Sequence, residues 1–254
     1  MKKLTNLLII IFAVVFDMGL LVASYTYYDS LPKGAVVDDN LVAVVLCLIQ
    51  VLVYGLIYFK VYRPSERKFL SLGLRDLVFI TLGLAGVTAV WVFGAENLLG
   101  GISAIKSSVD EFAQTSLNEG RYSVITDILN VAIIGPIMEE LYFRGLVYNA
   151  LKKMGLPIIL SMLISGLAFG LWHGILVQGV YAAFAGFVFA LVYEATGDIK
   201  SSIFVHVLGN SLASLGMVDP RLDIIYQVVC LIFIPYLFIR IRDLIRRLRD
   251  EENF

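Results

Sequence analysis

Long apolar runs separated by short polar breaks organise this chain from end to end. Windows long enough to cross a bilayer, roughly 20 residues each, fall at about 4–24, 41–59, 77–99, 123–150, 157–176, 178–195, 199–218 and 222–240. Polar or turn-rich breaks run from Asp29 to Asn40, Lys60 to Asp76, Gly100 to Tyr122, Lys152 to Pro157, Glu194 to Lys200 and Asp219 to Asp223. A further cut at Gln178–Gly179 requires one short turn to join two windows. The pattern predicts an all-α polytopic membrane protein of about eight transmembrane helices. It predicts a single integral membrane domain over 1–254, without internal repeats or a separate soluble domain.

Composition agrees with that pattern. The 254 residues are 59% hydrophobic and 16% charged, whereas soluble domains carry about 25% charge. So little charge excludes disorder and nucleic-acid binding as a main role. Cys47 and Cys230 both lie in apolar runs and read as small buried hydrophobes, too few and too far apart for a disulfide framework. Lys2 and Lys3 precede a stretch longer than a signal-peptide core, which predicts an uncleaved anchor.

Placement of charge sets the expected orientation. With the N-terminus in the cytoplasm, fifteen of the 20 Lys and Arg residues fall in inner segments. Only Lys33, Lys106, Arg121 and Arg221 fall in outer ones, and Arg144 lies inside a window. The positive-inside rule then places both termini in the cytoplasm, and the compact loops favour a bacterial plasma membrane. The closing segment, Ile239 to Arg249, has apolar residues at Ile241, Leu244, Ile245 and Leu248, a spacing that predicts a helix along the inner leaflet.

Charges inside a span cost roughly 2.5 kcal/mol or more and need a reason. The fourth window carries three, in Gly135-Pro-Ile-Met-Glu139-Glu140-Leu-Tyr-Phe-Arg144-Gly145. Glu140 and Arg144 are spaced i, i+4 on one face, which is ion-pair geometry. Glu139 is rotated about 100° away, with no partner in its own span, and must look toward another helix or water. The chain's 2 histidines, His173 and His206, both fall in windows. Phe169 lies one turn from His173, and Asn210 one turn from His206. A Glu, two His and an Asn on three spans make a hydrolytic site plausible, with a base, a group to hold water and oxyanion donors. Asp17 reads as packed against a polar partner and Asp127 as interfacial. Counted from the helix ends, His206 is shallow, Glu139 intermediate and His173 deep. A common site therefore requires tilt, shifted helix ends or a break, and Gly135–Pro136 offers a kink.

Glu139-Glu140-x-x-x-Arg144, Phe169-x-x-x-His173 and His206-x-x-x-Asn210, in that order, resemble the three motifs of the CPBP family. These are CAAX-processing and bacteriocin-processing intramembrane proteases, also called Abi or Rce1-like. The resemblance is strong over about 120–218, and Phe69–Arg75 is similar to bacterial members. It implies an intramembrane endopeptidase in which Glu139 activates water, His173 helps to position it, and His206 and Asn210 stabilise the oxyanion. Glu140, Arg144 and Phe169 would be supporting residues. Zinc on Glu139, His173 and His206 is one option, with an open position for water. Asn210 is a poor zinc ligand but a good oxyanion donor, which favours a site with no obligatory metal. Implied substrates are membrane-associated peptides or proteins: CAAX-type C-termini, leader peptides, bacteriocins or signalling-peptide precursors. The alternatives are a non-catalytic immunity or regulatory protein of the same fold, and a proton-coupled transporter. No HExxH zinc-protease motif is present.

Overall fold

A computed structural model of the chain describes residues 2–62, 72–118 and 123–252. Every regular element among them is helical. The helix α1 spans Lys2–Ser30 and α2 spans Asp39–Ile57, extended by a wider π-type turn at Tyr58–Tyr62. Asp38 starts α2 by accepting hydrogen bonds from the backbone N–H groups of Asn40 and Leu41. Next come α3 (Leu74–Asn97) and α4 (Ser103–Asn118). The motif-bearing α5 covers 124–154 and alternates between α and π winding, the π segments being Ile128–Ile134 and Leu141–Tyr148. The remaining helices are α6 (Ile158–Trp172), α7 (Leu176–Thr196), α8 (Ile199–Ala213), α9 (Pro220–Leu231) and α10 (Ile234–Glu252). A short turn at Leu215–Val218 links α8 to α9. Arg63, Arg67, Lys68 and Arg121 of the charge count, and the first part of the Phe69–Arg75 stretch, lie outside the described residues.

Each apolar window becomes helix, yet the expected eight spans are not all supported. By length and apolar composition, α1, α2 with its extension, α3 and α7 can cross a membrane; α9 and α10, bent by 51°, would add a fifth span. The reasons are physical. Helices α6 and α8 have 15 residues each, about 22 Å at 1.5 Å per residue, against a hydrocarbon core of about 30 Å. The motif helix is interrupted by its π turns and carries three charges.

Three further expectations change. The turn between α6 and α7 falls at His173–Ile175, not at Gln178–Gly179, because Gly174 adopts φ +72°, a left-handed conformation that glycine tolerates at no steric cost. Gly179 instead packs within α7: a Cβ on Gly170 would stand 2.4 Å from the Gly179 carbonyl oxygen, so small residues let the two backbones touch. The polar stretch 100–122 contains the helix α4, whose Phe112 faces inward over the central cavity. Finally, the apolar stripe of α10 does not face a leaflet. Leu237, Leu244 and Leu248 are buried in the core shared with α3 and α7.

Candidate active site

Glu140 and Arg144 form the ion pair that their spacing predicts. Arg144 Nη1 donates to Glu140 Oε1 at 3.0 Å, and both side chains are fully buried. The second arm, Nη2, donates to the Gly186 carbonyl on α7 at 2.7 Å. The guanidinium also lies over the rings of Phe169 and Phe189, at 4.8 and 5.2 Å from their centroids. Gly186 is there for room, since a Cβ would stand 2.8 Å from Nη2. One charged side chain on α5 thus holds α6 and α7 in place.

His206 joins both glutamates. Its Nδ1 lies 3.0 Å from Glu140 Oε1, the oxygen that Arg144 also uses. Its Nε2 lies 3.5 Å from Glu139 Oε2. Glu139 therefore finds its partner on another helix, as its orientation on α5 requires, and that partner is His206. The imidazole stacks on Phe189 at 4.6 Å and meets Phe169 edge-on at 5.5 Å. Nothing in the local sequence marked Phe189 as the plate beneath the ring. A carboxylate on Nδ1 fixes which ring nitrogen carries its proton there and aims the other, Nε2, at Glu139.

His173 sits at the end of α6 with its Nδ1 2.9 Å from the Phe169 carbonyl and its ring edge-on to Phe169. That bond leaves Nε2 for the cavity. Asn210 shares the His206 face of α8, and its Nδ2 donates to the Val131 carbonyl at 2.9 Å. This bond has a local origin. In the π turn the Gly135 N–H bonds the Asn130 carbonyl, five residues back. Val131 would next look to residue 136, but that is Pro136, which has no N–H to give. The orphaned carbonyl takes an Asn210 amide hydrogen, which leaves the other one free. The sequence marked the kink but not this consequence of it.

A cavity of about 600 Å³ runs between α3, α4, α7, α8 and α9, lined by His173, His206, Asn210, Phe169 and Phe189 together with mostly small and apolar side chains. Glu139 does not line it; with 18% of its side chain exposed, it reaches the cavity through His206. The depth conflict between the motifs is thus met by breaks: π turns on both sides of Glu139 and an early end to α6. Among the described residues no three His, Cys, Asp or Glu side chains form a metal-binding group. Nδ1 of both histidines is engaged by oxygen, which orients each ring and leaves Nε2 as the nitrogen turned to the site.

The other intramembrane polar residues have structural partners. Asp17 accepts from Gln50 Nε2, as a packed carboxylate should. Asp127 is fully buried, and Asn40 of α2 donates to it. Cys230 is buried and Cys47 half-buried, both as free thiols.

Fold and site together define an all-helical integral membrane protein with an acid–histidine cluster at the wall of an internal cavity. Comparison with known proteins sharpens this. Residues 121–212 match the family described as Type II CAAX prenyl endopeptidase Rce1-like. The chain is also 26% identical over 195 residues to the "Putative membrane peptidase YdiL" of Bacillus subtilis (strain 168), an alignment covering 71% of this chain and 72% of that protein. No solved structure matches. The matched residues 121–212 hold all three motifs, and both similarities point to membrane protease activity in general.

Proposed function

We propose that this protein is an intramembrane endopeptidase that cleaves membrane-associated peptides or proteins with a glutamate-activated water. The observation that carries this reading is His206, held between Glu139 and Glu140 at the wall of a cavity of about 600 Å³. The peptide lies in the cavity and water approaches on the Glu139 side. Glu139 takes a proton from that water as the oxygen attacks the carbonyl carbon, and the C–N bond breaks as the same proton passes to the leaving nitrogen. The free Asn210 amide hydrogen supplies a donor to the oxyanion, His206 helps to stabilise it, and His173 Nε2 helps to orient the water. Glu140 and Arg144 hold His206 in register.

No metal enters these steps. Protein dialysed against a strong chelator should keep its turnover, and loss of activity restored by zinc alone would overturn the metal-free reading. The central test compares membrane peptides by proteomics in cells carrying the wild-type protein or Glu139→Gln. The substitution keeps shape but removes the base, so turnover should fall about 100- to 10,000-fold and the cleaved ends should disappear. Full activity in Glu139→Gln would end the assignment. The same experiment names the substrate, whether CAAX-type terminus, leader peptide or bacteriocin precursor, and the reading places the protein in a bacterial plasma membrane with both termini cytoplasmic.

A further inference from the structure

The cavity has two chemically different regions. At one lie His206, Phe169 and Phe189, next to the glutamate pair. Following α8 from His206 to Ala213, Ser214 and Gly216 leads to the other, where α9 contributes Asp223, Tyr226 and Gln227. Between them the walls are apolar and small, with Leu84, Ala85, Ala182, Ala185 and Gly209 among the side chains.

Among the described residues, Asp223 is the one acidic side chain lining this space, and no Lys or Arg lines it. Its Oδ2 accepts from Gln227 Nε2 at 2.7 Å, which fixes the carboxylate without neutralising it. The nearest basic residue in sequence, Arg221, is turned away: it is 85% exposed and bonds Asp219 Oδ2 at 2.9 Å, and this pairing holds the Asp219 carboxyl below its ordinary range. Asp223 itself lies against the turn after α8, where a Cβ added to Gly216 would meet the Asp223 Cβ at 3.3 Å. The result is a carboxylate held at one end of an apolar channel, with no Lys or Arg among the described residues that line it.

We propose that the cavity accepts an apolar peptide segment bearing a Lys or Arg, with Asp223 as the carboxylate that receives the cation. The helix rise from His206 to the end of α8 at Ala213, about 10 Å, corresponds to roughly three extended residues between the scissile bond and the turn against which Asp223 lies. This rests on the peptidase reading above and adds a substrate class to it.

The test separates binding from cleavage. The full chain is placed in nanodiscs of zwitterionic lipid, so that lipid charge does not sort the peptides. The probes are fluorescent Leu/Ala peptides carrying one Lys, Glu or norleucine. The Lys peptide should bind about tenfold more tightly than the Glu peptide, the range expected for a half-exposed charge contact. Asp223→Asn should bring the two within about twofold, and Asp223→Lys should reverse the order. Equal affinities in the wild type, or a Lys preference that survives Asp223→Asn, would overturn the proposal. Asp223→Asn is nearly isosteric, so the test stands even if Asp223→Lys does not fold. Cleavage of the same peptides is read in parallel. Charge-selective binding without any cleavage would defeat the peptidase reading and leave this one standing. Cleavage indifferent to charge would do the reverse.

Discussion

Helices α1 and α7 are both apolar enough to cross a membrane, but they are used in opposite ways. The α1 window has mean hydropathy 2.7 and is 6% buried, whereas the α7 window has mean hydropathy 1.8 and is 50% buried. In water the more apolar helix would be the inner one. In a bilayer lipid is as apolar as leucine, so hydropathy no longer draws a helix inward, and packing of small residues and polar bonds decides instead. Helix α7 has those means: Gly179 against α6, Gly186 under the guanidinium, and Phe189 under the imidazole. Helix α1 has a few polar ties to α2 and its extension, such as Asp17 with Gln50 and Asn6 with Tyr62. Burial, not hydropathy, marks the working half of the molecule.

The sharpest way to break this contrast is Arg144→Ala. It takes the guanidinium from buried Glu140, leaving only His206 on that oxygen, and removes the tie to Gly186, so a loss of about 3–5 kcal/mol is expected. Thermal unfolding in detergent should show it plainly; an unchanged melting temperature would mean that α5 and α7 do not depend on the pair. Next comes Asn210→Ala, which removes the proposed oxyanion donor and should lower turnover about 100- to 1000-fold with little change in apparent peptide affinity. Weakened affinity at unchanged turnover would make Asn210 a substrate-binding residue. Pro136→Ala refines that result: it offers Val131 an N–H, frees Asn210 to swing, and should lower turnover without lowering the melting temperature. The smallest effect is expected in α1. Asp17→Asn keeps a hydrogen bond to Gln50, and such interhelical bonds contribute only about 0.6 kcal/mol, so a melting shift as large as that of Arg144→Ala would erase the distinction.

What the sequence made legible follows from spacing within one helix. Glu140 with Arg144, Phe169 with His173, and His206 beside Asn210 on one face all needed only the 3.6-residue period. Contacts between helices were not legible. That His206 meets Glu139 depends on π turns that rotate one stretch of α5 against the next, and apolar composition does not reveal those. The helix α4 was hidden by its polarity, which resembles a loop until Phe112 is seen over the cavity. The count of eight spans is not confirmed for a related reason. Hydropathy windows measure apolar length, and they do not register that α6 and α8 stop after 15 residues or that charges divide α5.

The sharing of one Glu140 oxygen between Arg144 and His206 has an evolutionary consequence. Architecture and chemistry are carried by neighbouring residues that can be lost separately. On the proposed peptidase reading, a change at Glu139 leaves Arg144, Glu140 and His206 holding α5, α6, α7 and α8 together, giving a descendant that folds, keeps its cavity and cuts nothing. Losing Glu140 would cost fold and catalysis at once. The route from protease to peptide-binding protein in such a lineage is therefore a single step at the first glutamate of the pair, and it is closed at the second.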